Sequence, residues 1–284
     1  MSVLIAGCGD LGTEAGLRFV AAGHHVTGWR RTPGRLPRAI EGVAADLTRD
    51  APRVPADTEI LVVALAADGH DEAAYRAAYV DGTQRVLDAL DRDGVTPRRA
   101  LFVSSTAVYG SLSGEVDEES PTEPTAFNGA VMLEAEELFL EGFAATPTRA
   151  SVLRLGGIYC PGRTRLLDLV RSGTATIPTP DRRTARIHRD DAASAIVHLA
   201  TMQTRPAGSY LVVDDAPAPY GEVVRWLAEA MDAPEPRQAE RPSARGADRA
   251  CSNARLRSTG WAPSFPTYAE GYRAVLSGQG ARHP

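Results

Sequence analysis

Lysine is missing from this chain. All 31 basic residues are arginines, set against 36 acidic ones, and the formal net charge is −5. A negative balance without a basic block leaves no electrostatic footprint for nucleic acid or an anionic membrane surface, so neither is expected as a partner. No apolar run approaches the roughly 20 residues that span a bilayer. Cysteine is scarce too: Cys8, Cys160 and Cys251 are odd in number and far apart, with no metal-ligand spacing. That pattern excludes a disulfide framework and a cysteine-held metal, and fits reduced thiols in the cytoplasm. The first residues read as a buried strand rather than a basic stretch ahead of an apolar core, so no secretion signal is expected. Repeats and low-complexity segments are also lacking. What remains is ordinary for a globular protein: 284 residues, 43% hydrophobic and 24% charged, enough for a large α/β unit with a smaller lobe.

The organising stretch is the first twelve residues. Ser2-Val3-Leu4-Ile5-Ala6 has the apolar continuity of a strand buried on both faces, and it runs into Gly7-Cys8-Gly9-Asp10-Leu11-Gly12. In a G-x-G-x-x-G turn the first glycine permits the reversal. The second lets a pyrophosphate approach the backbone, and the third lets helix and strand pack closely. Helix-spaced apolar residues follow from Leu11 to Ala22, so the turn would place phosphates at a helix N-terminus. Cys8 reads as a small residue that fits the turn.

Further strands are expected at 25–29, 42–47, 59–66, 99–105 and 151–155, alternating with helices over 71–91 and 127–144. Such alternation calls for a doubly wound parallel sheet, with ligands bound beyond the carboxyl ends of the strands. This edge would carry Gly7, Gly9, Asp10, Leu11, Gly12, Arg30, Arg31, Asp46, Leu47, Leu65, Ala66, Ala67 and Ser104 as dinucleotide contacts. No acid follows the second strand to accept the ribose 2′-hydroxyl. Arg30 and Arg31 stand there instead, which favours NADP over NAD. The expected division is a cofactor domain over 1–155 and a mainly substrate-binding lobe over 156–284. A strand near 209–213 is expected to return to the sheet. Residues 232–249 read as loop and 277–284 as frayed.

Several segments together spell a family. They are the glycine turn, Tyr79-Val80-Asp81-Gly82-Thr83, Val103-Ser104-Ser105-Thr106-Ala107-Val108-Tyr109-Gly110, Leu153-Arg154-Leu155-Gly156-Gly157-Ile158-Tyr159 and Ile187-His188-Arg189-Asp190-Asp191. In order and spacing they resemble the extended short-chain dehydrogenase/reductases, the NAD(P)-dependent epimerase/dehydratase relatives, in an atypical branch. The resemblance implies a Rossmann-type core, a nicotinamide cofactor, and a Ser or Thr here matched by Thr106 with Ser105 beside it. It also implies a Tyr-x-x-x-Lys pair in the helix over 127–144. The aligned positions are Asn128 and Met132, and neither titrates. The helix position of a family asparagine is taken by Tyr79.

Three accounts follow. Redox chemistry on a hydroxyl or carbonyl of a small, sugar-like or secondary-metabolite substrate would draw its proton from Tyr109, Tyr79, Tyr159, Asp81, His188 or water. A non-redox lyase, isomerase or cyclase could use the same scaffold, or the protein could be a nucleotide sensor without turnover. Tyr109, Asn128, Met132, Tyr159 and Arg186 are the expected substrate contacts. Arg154, Arg163, Arg165, Arg182, Arg183 and Arg186 are candidates for a phosphate clamp or for solvated surface. The resemblance also permits a homodimer through the helices over 71–91 and 127–144.

Overall fold

The computed structural model describes residues 1–239 and 247–283. Seven strands build the central sheet: β1 (Ser2–Ala6), β2 (His25–Arg30), β3 (Glu41–Ala44), β4 (Thr58–Val63), β5 (Arg99–Ser105), β7 (Arg149–Leu155) and β11 (Ser209–Val212). Their order is β11-β7-β5-β4-β1-β2-β3, and every pairing is parallel. The continuous apolar runs explain this. Along β1, Val3 and Ile5 face one helix layer while Leu4 and Ala6 face the other, and all four are buried.

One layer is α1 (Asp10–Ala21) against α6 (Arg189–Thr201), packed around Phe19, Ile60, Leu101 and Ile196. The other is α2 (Glu72–Tyr75), α3 (Gly82–Asp93) and α4 (Phe127–Ala144), packed around Trp29, Leu61, Phe102, Val86 and Phe139. Helix α8 (Ala254–Ser258) packs against the edge strand β11, with Leu256 in the layer of α1 and α6, and the lobe is built from α5 (Arg165–Arg171), α7 (Tyr220–Ala230) and α9 (Tyr268–Leu276). Its own apolar centre comprises Leu167, Val223, Leu227 and Tyr272.

The structure departs from the sequence reading in four places. The helix expected over 71–91 is interrupted by a π-helical stretch, Arg76–Asp81, between α2 and α3. The third strand stops at Ala44, before Asp46. The Asp46 carboxylate instead accepts from the Thr48 amide at 3.2 Å and hydroxyl at 2.7 Å, closing a turn.

Three short parallel ladders had no periodic signal: β6 (Gly114–Val116) with β13 (Arg249–Cys251), β8 (Gly157–Tyr159) with β10 (Arg186–His188), and β9 (Thr176–Ile177) with β12 (Arg237–Gln238). Of these, β12 lies within the expected loop over 232–249, of which 240–246 falls outside the described residues.

The C-terminal tail is docked rather than frayed as far as it is described. Arg189 donates to the Ala281 carbonyl at 2.6 Å. The His283 amide donates to Asp10 at 3.1 Å, and its ring lies 2.8 Å from Glu14. Polar partners hold this tail, which is why an apolar pattern did not reveal it.

Candidate active site

Register decides where the site lies. Ala6 pairs with Trp29 and Val63, Val63 with Phe102, and Ser105 with Leu155, so the carboxyl ends of five strands form one edge. Gly7 turns the chain there at φ +85°, and a Cβ at that position would stand 2.6 Å from the Ala64 carbonyl oxygen. Glycine is therefore required on two independent grounds. Gly9, the N-cap of α1, has no atom within 4 Å of its Cβ direction. Its open side and the uncapped amides of α1 make a cradle of the kind a pyrophosphate fills. Gly12 packs against Ile5, with the hypothetical Cβ 3.1 Å from its side chain. Gly7 and Gly12 thus have the turn and packing roles that their spacing requires, and Gly9 leaves its side open.

Two cavities meet over this turn and share Gly9, Ala64, Leu65 and Ala66. The first, of about 190 Å³, is bordered by Trp29, Arg30, Arg31, Asp46, Leu47 and Asp68. Arg31 donates to Asp68 through two bonds of 2.5 and 2.7 Å, and this pair holds the Asp68 carboxyl below its usual range. Asp68 escaped sequence reasoning because it belongs to the loop after β4 rather than to β2.

The second cavity, of about 340 Å³, runs from Gly9, Asp10, Leu11 and Gly12 to Ser104, Ser105, Asn128 and Met132. Tyr75 and Tyr79 form its wall, with ring centroids 5.4 Å apart. Burial pushes the Tyr79 hydroxyl up from its ordinary value, outweighing a hydrogen bond from the Ala67 amide. A phenol so raised is protonated at neutral pH, so it keeps a proton to donate while its oxygen accepts from Ala67. Ala67 therefore holds the wall rather than bordering either cavity. Tyr75 went unrecognised in the sequence, although it stands four residues before Tyr79.

Asp10 faces the lobe. Burial pushes its carboxyl up, but Arg189, the His283 amide and Arg163 outweigh that and hold it below its usual range. Arg189 lies 2.9 Å from it and Arg163 lies 3.4 Å away, with Arg163 itself at the cavity wall.

Four sequence assignments are corrected. Thr106 is buried outside the cleft, and its carbonyl accepts from Arg249 at 2.7 Å. Ser105 faces the cleft instead, accepting from the Ala107 amide at 3.2 Å. Tyr109 is fully buried with its hydroxyl taken by Arg154 at 2.9 Å, so it touches neither substrate nor cofactor. Tyr159 is buried in the lobe junction, stacked on Tyr272 at 4.4 Å. Arg186 is buried there too, donating to the Thr184 carbonyl at 3.1 Å and the Ala218 carbonyl at 3.3 Å. Thr106 and Tyr109 lie in a short 3-10 turn after β5, Tyr159 ends β8 and Arg186 opens β10, and each side chain is taken up by packing away from the cleft.

The remaining suspected acids and cations are likewise placed. His188 is buried as the N-cap of α6, accepting from the Asp190 amide at 3.2 Å. Arg154 is no phosphate clamp. It pairs with buried Glu136 at 2.7 Å, and Glu136 also accepts from the Ser104 hydroxyl. Arg183 is tied to Asp248 at 2.8 Å.

A parallel sheet wound on both faces, with a glycine cradle opening on a cleft at its switch edge, defines a dinucleotide-binding protein of Rossmann type. The profile of the NAD dependent epimerase/dehydratase family matches residues 3–212, and the chain belongs to that family. It is 31% identical over 169 residues to protein YeeZ of Escherichia coli K12, a match covering 57% of this chain and 60% of that protein's length. It is 30% identical to the 3-diazoavenalumate denitrifying reductase of a Streptomyces species, over 95% of this chain and 99% of that one. A solved structure of a putative NAD-dependent epimerase/dehydratase from Methylobacillus flagellatus is 35% identical, with a TM-score of 0.78 over 98% of both chains. Among the described residues no helix is long and apolar enough to cross a membrane.

Proposed function

We propose that the protein is an NADP(H)-dependent oxidoreductase or epimerase acting on a hydroxyl or carbonyl group of a small molecule, with a non-standard catalytic set. The observation that carries this reading is the continuity of the two cavities, from Arg30 past Gly9 to Ser105, Asn128 and Met132. Residues 1–155 would hold the cofactor, and 156–284 mainly the lobe beside the substrate.

Arg30 would meet the 2′-phosphate, Asp46 and Leu47 the adenine end, and Gly9 with the α1 amides the pyrophosphate. A bound nicotinamide supplies or accepts hydride. Beside it, Ser105 and the Asn128 amide would hold the substrate oxygen by hydrogen bonds. Tyr79, kept protonated by burial, would donate the proton. The chain contains no lysine, so no lysine can assist that tyrosine. Met132 offers the cleft there only an apolar surface.

The test is calorimetric titration with NADPH, NADP, NADH and NAD, on the wild type and on Arg30→Ala. Micromolar NADP(H) binding that weakens sharply in the variant is the expected result. Absence of binding by all four would overturn the reading. One observation favours a second reading, a non-redox enzyme on the same scaffold: Asn128 and Met132 line the cleft where the family pair would stand. Binding of NADP(H) without any change in nicotinamide absorbance during turnover would select it. A cytoplasmic homodimer joined through α3 and α4 is proposed as its working form. A clean 30.2 kDa species in gel filtration would remove the dimer.

A further inference from the structure

The reaction end of the cleft carries no charge. Among the described residues bordering the larger cavity, the charged ones are Asp10 and Arg163. They pair with each other beside Gly9–Gly12, where the cofactor's own phosphates would lie. The other end is walled by Tyr75, Tyr79, Asn128, Met132, Ala107 and Ile158. Of the arginines that might have served a second diphosphate, Arg154 is engaged with Glu136, Arg183 with Asp248 and Arg186 with backbone carbonyls, and neither Arg165 nor Arg182 borders this cavity. A diphosphate placed here would be desolvated without a cation to receive it.

The wall has an aromatic continuation. The Tyr75 ring lies 5.4 Å from Tyr79 on one side and 5.4 Å, edge to face, from Phe127 on the other. Phe127 is 37% exposed, a large apolar side chain left in solvent beside this wall. Aromatic edges and faces so disposed select a flat ring by offset or edge-to-face contact.

Size agrees with charge. Ligand pockets run from about 300 to 1,000 Å³. This cavity, about 340 Å³, stands at the small end and must also take the nicotinamide half of the cofactor.

We propose that the substrate is a small, uncharged aromatic carbonyl compound or the corresponding alcohol, recognised by Tyr75 and Tyr79 with Phe127 supporting the Tyr75 ring, and not a nucleoside diphosphate sugar. This rests on the reading of the cleft as a nicotinamide site.

The experiment first titrates the protein with NADP⁺. The NADP⁺-saturated protein is then titrated calorimetrically with 4-hydroxyacetophenone and, separately, with UDP-glucose. Wild type, Tyr75→Ala and Phe127→Ala are compared. The ketone is expected to bind at least about tenfold more tightly than UDP-glucose, and Tyr75→Ala to weaken it by about tenfold. Phe127→Ala should weaken the ketone less, because its ring reaches the site through Tyr75. The NADP⁺ affinity of both variants, unchanged within about twofold, reports that they are folded. UDP-glucose binding as tight as the ketone, no ketone binding, or an unchanged ketone affinity in Tyr75→Ala would each overturn the substrate class while leaving the cofactor site standing. Failure of the wild type to take NADP⁺ would overturn the cofactor reading, and this proposal with it.

Discussion

Arg154 Nη2 stands 2.7 Å from Glu136 Oε2, and its Nε bonds both Glu136 oxygens at 3.1 Å, with both side chains sealed beneath the floor of the cleft. The pair joins β7 to α4 one helical turn beyond Met132, and it fixes Ser104 and Tyr109 as well. Removing one partner leaves the other charge buried and alone. Arg154→Met should therefore cost about 3–5 kcal/mol, whereas combining it with Glu136→Leu should recover most of the loss. Denaturant midpoints of the two variants check this. Equal destabilisation by the single and the double change would show that the ion pair is not what holds the floor.

The glycine turn separates folding from binding. Gly7→Ala puts a Cβ 2.6 Å from the Ala64 carbonyl at a φ of +85°, so it should lower the melting temperature markedly. Gly9→Ala meets open space and should stay within about 0.5 kcal/mol of the wild type in stability. It should nevertheless bind dinucleotide far more weakly, because the new methyl occupies the pyrophosphate's approach. Thermal melts and calorimetry on the same two variants read the two effects apart.

At the adenosine end, Asp68 competes with any phosphate for Arg31. Asp68→Ala should release that guanidinium and tighten NADPH by about 0.3–1 kcal/mol, the scale of an exposed ion pair, with little effect on NADH. Arg30→Ala should move NADPH in the opposite direction. Were Asp68→Ala to tighten NADH equally, Asp68 would be acting on something other than the 2′-phosphate.

Burial pushes the Asp214 carboxyl up to about 7, against the opposing charge of Arg186 and with Asp215 and Asp191 adding to the rise. One of its oxygens has no hydrogen-bond partner, and the Tyr159 hydroxyl of the same junction lacks one as well. The sign follows from proton uptake. Between the unfolded value near 4 and about 7, the folded chain holds a proton that the unfolded chain has lost, so stability falls as pH rises through that window. Asp214→Asn should flatten the fall and be the more stable form at pH 8, by about 1.4 kcal/mol for each unit of the shift. Chemical denaturation at pH 5 and pH 8 measures it.

The parallel sheet and the cofactor edge were legible because both leave periodic or punctuating signals: continuous apolar strands, a glycine spacing, and arginines placed straight after a strand. The catalytic end was less so. Thr106, Tyr109, Tyr159 and Arg186 all belong to motif segments. Yet whether a side chain in a turn or at a strand end faces the cleft or the core is settled by the elements packed around it, which a motif does not record. Tyr75 and Asp68 were missed for the converse reason, being brought to the site by tertiary placement from segments that read as plain helix and loop. The docked tail escaped notice because its contacts are hydrogen bonds to Asp10, Glu14 and Arg189, which no hydrophobic pattern records.

The π-helical stretch Arg76–Asp81 sets the phase between α2 and α3. Such a turn bonds i to i+5 and so carries one residue more than regular helix, and each helical residue rotates the chain by about 100°. The stretch therefore works like a fixed dial, with Tyr75 as its pointer. Deleting Ala77 would let the helix run regularly, and α2 would turn by about 100° relative to α3. The aromatic wall would swing away while the glycine turn stayed intact, leaving a protein that keeps its cofactor and loses its choice of substrate.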